Sequence, residues 1–235
     1  MNLMSRIQGV FFSPQPTFKD LSERPVWKDV LIIVFILFGI FSYLIAPAAN
    51  KDGLSTMKDN VKLQERMGKE RFDRMIADME NVTPGKQAFR SFLLGPVTLL
   101  IGILFSSLIL LVFGRLVSTE GRYKQVLSAV VHANLIDKLL GNGIRLILIL
   151  MRKSVFQTST SLALLAPKLP ITSPTYIILG QFDFFQIWMF GVLGYGLSVI
   201  FKIPVKKALF ISYGFWLLKA VLYVAMQLFF TRMMG

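Results

Sequence analysis

The stretch HANLIDKLLGNGIR, His132 to Arg145, sets Asn134, Asp137, Lys138, Asn142 and Arg145 between two apolar runs, VLSAVV and LILILM. At about 100° per residue, Asn134, Lys138, Asn142 and Arg145 share one helix face. Asp137 lies at the edge of that face, and His132 points roughly opposite. Charges at bilayer depth are costly, so the stripe must face a bundle interior, water or opposite charge. Lys138 and Arg145 stand two turns apart with one local acid. The stripe does not neutralise itself and requires a partner: another helix, water, a lipid phosphate or a bound protein. Two chemistries fit. One is a lining for an anionic headgroup or solute. The other is polar glue between helices, with Lys and Arg snorkelling toward an interface. Lys219, midway along a later apolar run, is the next charge of this kind.

Bond-making chemistry has little to work with. The chain has no cysteine and a single histidine, so a thiolate nucleophile and a disulfide are excluded. GxSxG, HExxH and P-loop motifs are absent, and no carboxylate pair stands at metal-ligand spacing. The reading is of a non-enzyme without cofactor or metal.

The elements that must position the stripe follow from hydropathy. The 235 residues are 54% hydrophobic and 17% charged, with mean hydropathy +0.60. The apolar residues come in long blocks, and about 20 residues of helix cross a bilayer. Five blocks qualify: 30–49, 91–114, 126–151, 184–201 and 208–231. The expected fold is an all-α integral membrane bundle of five transmembrane helices. The stripe lies in the third, and Gly141-Asn142-Gly143 weakens the helix there. The first 29 residues are mixed and polar, so the first block reads as an uncleaved span after a cytoplasmic amphipathic segment.

Net charge is +13 and pI about 10.1. The Lys and Arg residues flank apolar blocks and do not form one basic domain, which points to anionic lipid and not to nucleic acid. The segments carrying Arg115, Arg122 and Lys124, then Lys202, Lys206 and Lys207, then Arg6, Lys19, Arg24 and Lys28, fall on one side. The positive-inside rule makes that side the cytoplasm, with the C-terminus opposite. The 51–90 link opposes this with nine basic residues beside seven acids.

Between the first two spans, 51–83 shows helical spacing at Leu54, Met57 and Val61, and again at Phe72, Met75, Ile76 and Met79. It reads as a helical loop, either solvated or docking a partner. Asp183, three residues before Gln186, reads as a helix cap. Gly191, Gly194 and Gly196 give the fourth span a small-residue face for close helix approach, within the bundle or between copies.

The order Ser13-Pro14, Thr17-Phe18 and Pro25-Val26-Trp27 before the first span resembles prokaryotic proteins of the YIP (Ypt/Rab-interacting protein) domain family. Tyr123-Lys124-Gln125-Val126-Leu127, Phe182-Asp183-Phe184-Phe185-Gln186-Ile187-Trp188 and Lys206-Lys207-Ala208 are similar to that family as well. The resemblance covers nearly the whole chain. It implies a five-span bundle in a bacterial inner membrane, with a cytoplasmic N-terminus and no catalytic residue. Eukaryotic members act in membrane traffic and bind small GTPases and one another. The third span departs from the family, which often has Tyr-Ser and Pro there; this chain has Val131-His132-Ala133-Asn134-Leu135. Together these readings give a non-catalytic adaptor, scaffold or membrane-organising protein, bound to lipid and to other membrane proteins or itself. The alternative is a transporter or lipid-handling protein for an anionic solute or headgroup that uses the third-span stripe.

Overall fold

The computed structural model describes residues 1–58, 60–156 and 160–234. It is all helical. The helices are α1 (Leu3–Phe12), α2 (Pro14–Glu23), α3 (Lys28–Lys58), α4 (Val61–Met67), α5 (Lys69–Glu80), α6 (Pro84–Phe89), α7 (Gly95–Arg115), α8 (Tyr123–Leu135), α9 (Asn142–Arg152), α10 (Pro174–Leu179), α11 (Phe184–Phe201) and α12 (Val205–Met234). A π turn, Arg90–Leu94, joins α6 to α7, and a second, Ile136–Gly141, joins α8 to α9.

Among the described residues, four helical stretches are long and apolar enough to cross a membrane: Lys28–Lys58, Pro84–Arg115, Phe184–Phe201 and Val205–Arg232. The block expected as a third span, 126–151, lies in the continuous helix α8–π–α9, about 45 Å long at 1.5 Å per residue. Its polar stripe lowers its mean apolarity below that of the other four. Yet nearly every residue from Val126 to Asp137 is buried. A helix enclosed by protein needs little hydropathy, because its polar groups find protein partners and meet little lipid. By contrast, only 17% of the apolar window of α12 is buried, against 50% for α11. α11 is therefore a central helix and α12 a peripheral one.

The first helix runs past residue 49, so the expected loop starts later. Pro47 sits inside α3. Beyond it, the Asp52 carboxylate accepts bonds from Ser154 Oγ (2.7 Å) and Val155 N (2.6 Å), which holds the extension against the end of α9. Residues 61–67 and 69–80 form α4 and α5, broken at Gly68, and the charged Glu70–Arg74 pair joins successive turns of α5.

The N-terminal segment is a docked helical hairpin. The amino terminus pairs with Asp20 (3.0 Å), and a Cβ on Gly9 would stand 2.0 Å from Thr17 Oγ1, so α1 and α2 lie in close contact. Val10, Phe18 and Leu21 are fully buried. The base of the hairpin is tied down where Gln125 Nε2 donates to Ser22 O (2.6 Å) and Ser128 Oγ to Val26 O (2.8 Å). Its tip reaches upward: the Phe11 ring meets Trp188 edge-on at 6.2 Å. Trp188 lies about 20 Å along α11 from Phe201. The hairpin thus runs beside the Phe201 end of α11, with its tip reaching to about one turn from the helix start at Phe184.

Close helix approach is set by glycine. A Cβ on Gly194 would stand 2.6 Å from Leu209 Cδ2 and 3.2 Å from Leu209 Cα. On Gly191 it would stand 2.8 Å from the Tyr213 hydroxyl, and on Gly196 2.9 Å from the Phe18 ring. Gly191 and Gly194 thus face α12, and Gly196 faces the hairpin. Since backbone at Leu209 cannot swing away, Gly194→Ala should destabilise by about 1–3 kcal/mol through overpacking. Gly143→Ala, whose new methyl meets nothing within 4 Å, should be neutral or gain up to about 1 kcal/mol. Thermal unfolding of both variants in one detergent checks the contrast.

Candidate functional site

Asn134, Asp137, Lys138, Asn142 and Arg145 do not form one uniform stripe. The π turn adds a residue to the turn, as such bulges do at functional or strained sites, and redirects them. Asp137 becomes the hub. It accepts from Lys138 Nζ (2.6 Å) and from Arg145 Nη2 (2.8 Å). Arg145 Nη1 donates to Asn142 Oδ1 (3.0 Å). Gly141 makes room for this: a Cβ there would lie 3.1 Å from both Arg145 Nη1 and Asp137 Oδ1.

The partner that the stripe required is Asp183. Arg145 Nη2 lies 2.9 Å from Asp183 Oδ1. That same carboxylate oxygen caps α11, accepting from Phe185 N (2.9 Å) and Gln186 N (3.2 Å). Its other oxygen accepts from Thr160 Oγ1 (2.6 Å), and Thr160 Oγ1 in turn accepts from Arg145 Nε (3.2 Å). One guanidinium therefore joins two carboxylates on two helices. Both acids are 6% exposed and Arg145 16%. The planar fork of Arg suits this geometry, and a Lys could not reproduce it.

A second polar knot lies under the hairpin. Arg6, on the inward face of α1 with Gly9 and Val10, is buried and forms an ion pair with Asp29 at the start of α3. Its Nη1 stands 3.5 Å from His132 Nε2. His132 Nδ1 lies 2.8 Å from Ser128 O, a carbonyl that can only accept. Nδ1 therefore carries the proton, and Nε2 is free to accept from Arg6. Sequence inspection passed over this knot. The signal was there in α1, where Arg6 shares the face of Val10.

Lys219 stands apart from both knots. Its Nζ has no hydrogen bond or ion pair among the described residues and lies 5.6 Å from the Phe190 ring centroid and 5.9 Å from that of Phe215. It borders two cavities. One, about 530 Å³, lies among α3, α7, α8, α11 and α12, is mostly apolar, and also exposes Asn134, Asp137 and Lys138. The other, about 590 Å³, is lined by polar groups that include Thr172, Tyr176, Gln181 and Gln227. Gln186 and Lys219 line both. Among the described residues, no three His, Asp or Glu side chains converge as metal ligands.

The family model of the Yip1 domain matches residues 9–226. No curated protein and no solved structure matches the chain.

Replacing Asp137 by Asn keeps its shape but leaves Lys138 and Arg145 short of one buried negative charge. Removing one partner of a buried ion pair costs about 3–5 kcal/mol. Asp137→Asn should therefore lower the thermal midpoint far more than Glu70→Gln, which breaks an exposed pair worth under about 1 kcal/mol.

Proposed function

We propose that this chain, which belongs to the Yip1 domain family, is a non-catalytic protein that organises the membrane by widening one leaflet. The observation that carries the reading is the half-length hairpin. Each arm has ten residues, about 15 Å of helix. That is half of the roughly 30 Å hydrocarbon core. The hairpin adds two ten-residue helices beside the Phe201 end of the bundle, where the other end has the shorter α10 packed on α12. Its outward residues Met4 and Phe12 are exposed and apolar, Phe12 by 84%, which suits contact with acyl chains.

The histidine and the buried serines and carboxylates of the bundle are engaged in structure. His132 is held by Ser128 and Arg6, and Ser107, Ser128 and Ser212 donate to backbone carbonyls. Asp137 and Asp183 share Arg145. This supports a structural role over catalysis. The hairpin end also gathers Arg115, Arg122, Lys124, Lys202, Lys206 and Lys207. That end faces the cytoplasm in this reading, and the protein sits in a bacterial inner membrane with anionic lipids around it.

The chain has no cysteine, so a single nitroxide at Phe12→Cys reports depth cleanly. The reading predicts a label reached by oxygen and shielded from a water-soluble nickel complex. It also predicts that reconstituted protein enriches in the smallest vesicles of a mixed population. A water-exposed label, or no preference for vesicle size, would sink it.

A further inference from the structure

The charge inventory around the central cavity does not balance. Lys138, Arg145 and Lys219 bring three cations, and Asp137 and Asp183 bring two carboxylates. Arg145 engages both acids, and Lys138 shares Asp137. Lys219 is left with two aromatic rings. Such cation–π contacts contribute about 0.5–2 kcal/mol, too little to offset the placing of an ammonium midway along a membrane helix. The surplus positive charge lies where the two cavities meet, and both Lys138 and Lys219 face the same apolar chamber.

We infer that this junction binds the anionic head of a membrane lipid, with an acyl chain in the apolar chamber. Three observations converge on that class. The unpaired ammonium of Lys219 calls for an anion, and the ammonium of Lys138, which shares Asp137, faces the same chamber. The amide of Gln186, whose side chain makes no hydrogen bond among the described residues, supplies a neutral donor at the same point. Beside them, the chamber of about 530 Å³ is walled by residues such as Phe38, Leu99, Met189 and Leu193. That wall rejects a bare anion and accepts a hydrocarbon chain. Cavities of roughly 300–1,000 Å³ with a few placed polar groups are the ordinary form of a ligand site. The polar second cavity, with Tyr176 and Gln227, leaves room for the rest of a headgroup. The site does not depend on the hairpin wedge, so the failure of one leaves the other standing.

The test is native mass spectrometry of the whole protein released from nanodiscs of phosphatidylcholine with a minor fraction of phosphatidylglycerol. The wild type should retain one phosphatidylglycerol. Lys219→Gln should lower its retention about tenfold, equivalent to about 1.4 kcal/mol, and Lys219→Arg should keep it. Gly102 borders the chamber, and a Cβ there meets nothing within 4 Å. Gly102→Leu therefore puts bulk into the chamber from a position whose Cβ is clear of neighbours, and should also expel the lipid. In lipid-free neutral detergent, Lys219→Gln should not lower the thermal midpoint, since Lys219 is exposed and holds no ion pair among the described residues. That keeps loss of lipid distinct from loss of fold. Equal retention of the two lipids, or full retention by Lys219→Gln, would overturn the proposal. Excess inorganic phosphate is the remaining arm. Failure to displace the lipid supports a lipid site, and ready displacement would mark a free-anion site and overturn the assignment.

Discussion

The bundle turns on one guanidinium. Arg145 holds Asp137 on its own helix and Asp183 at the cap of α11, and through Thr160 it also fixes the segment that leads into α11. Because Asp183 is at once a cap and a counter-ion, the start of α11 cannot shift without breaking the ion pair. Buried ion pairs of this kind add little net stability, since desolvation offsets their attraction. What they supply is register. An apolar α8–α9 helix could slide or rotate against α11; one that must bring Arg145 to Asp183 has a single position.

The enclosure of that helix explains why it can carry so much polarity. The same residues that make 126–151 a poor span by composition make it a specific one by contact. The π turn is the device that reconciles the two needs. It swings Asp137 from the edge of the expected face to the centre of the cluster, and Gly141 leaves the room for it. A wheel drawn at a constant 100° per residue cannot show this. The polar residues were therefore legible in the sequence, but their geometry was not. The need for an outside partner was also legible, since two bases faced one acid. That the partner was Asp183 was hidden by its evident second role as a helix cap.

The N-terminal segment shows the limit from another side. Its amphipathic pattern was plain, but amphipathicity alone does not say whether the apolar face meets lipid or protein. Gly9 against Thr17 and Gly196 against Phe18 decide it, because the absent side chains let α2 settle on α11 and α1 settle on α2. Burial then forces a solution for Arg6, whose side chain is carried inward with Val10. Asp29 and His132 provide it from two different helices. The knot holds the hairpin to α3 and α8, and no pattern local to 1–29 could have named either partner.

The two knots differ from Lys219 in one physical respect. Arg6 and Arg145 each reach a carboxylate by a fixed planar fork, and both lie under cover. Lys219 reaches none, and it lies on the least buried long helix of the chain. If its charge served only packing, a neutral residue would serve better at that depth, because two phenyl rings hold an apolar side chain as readily as an ammonium. Lys219 stands midway along a 30-residue helix, far from both of its ends. A cation kept between an apolar chamber and a second, polar cavity is instead poised for an anion that arrives from the membrane.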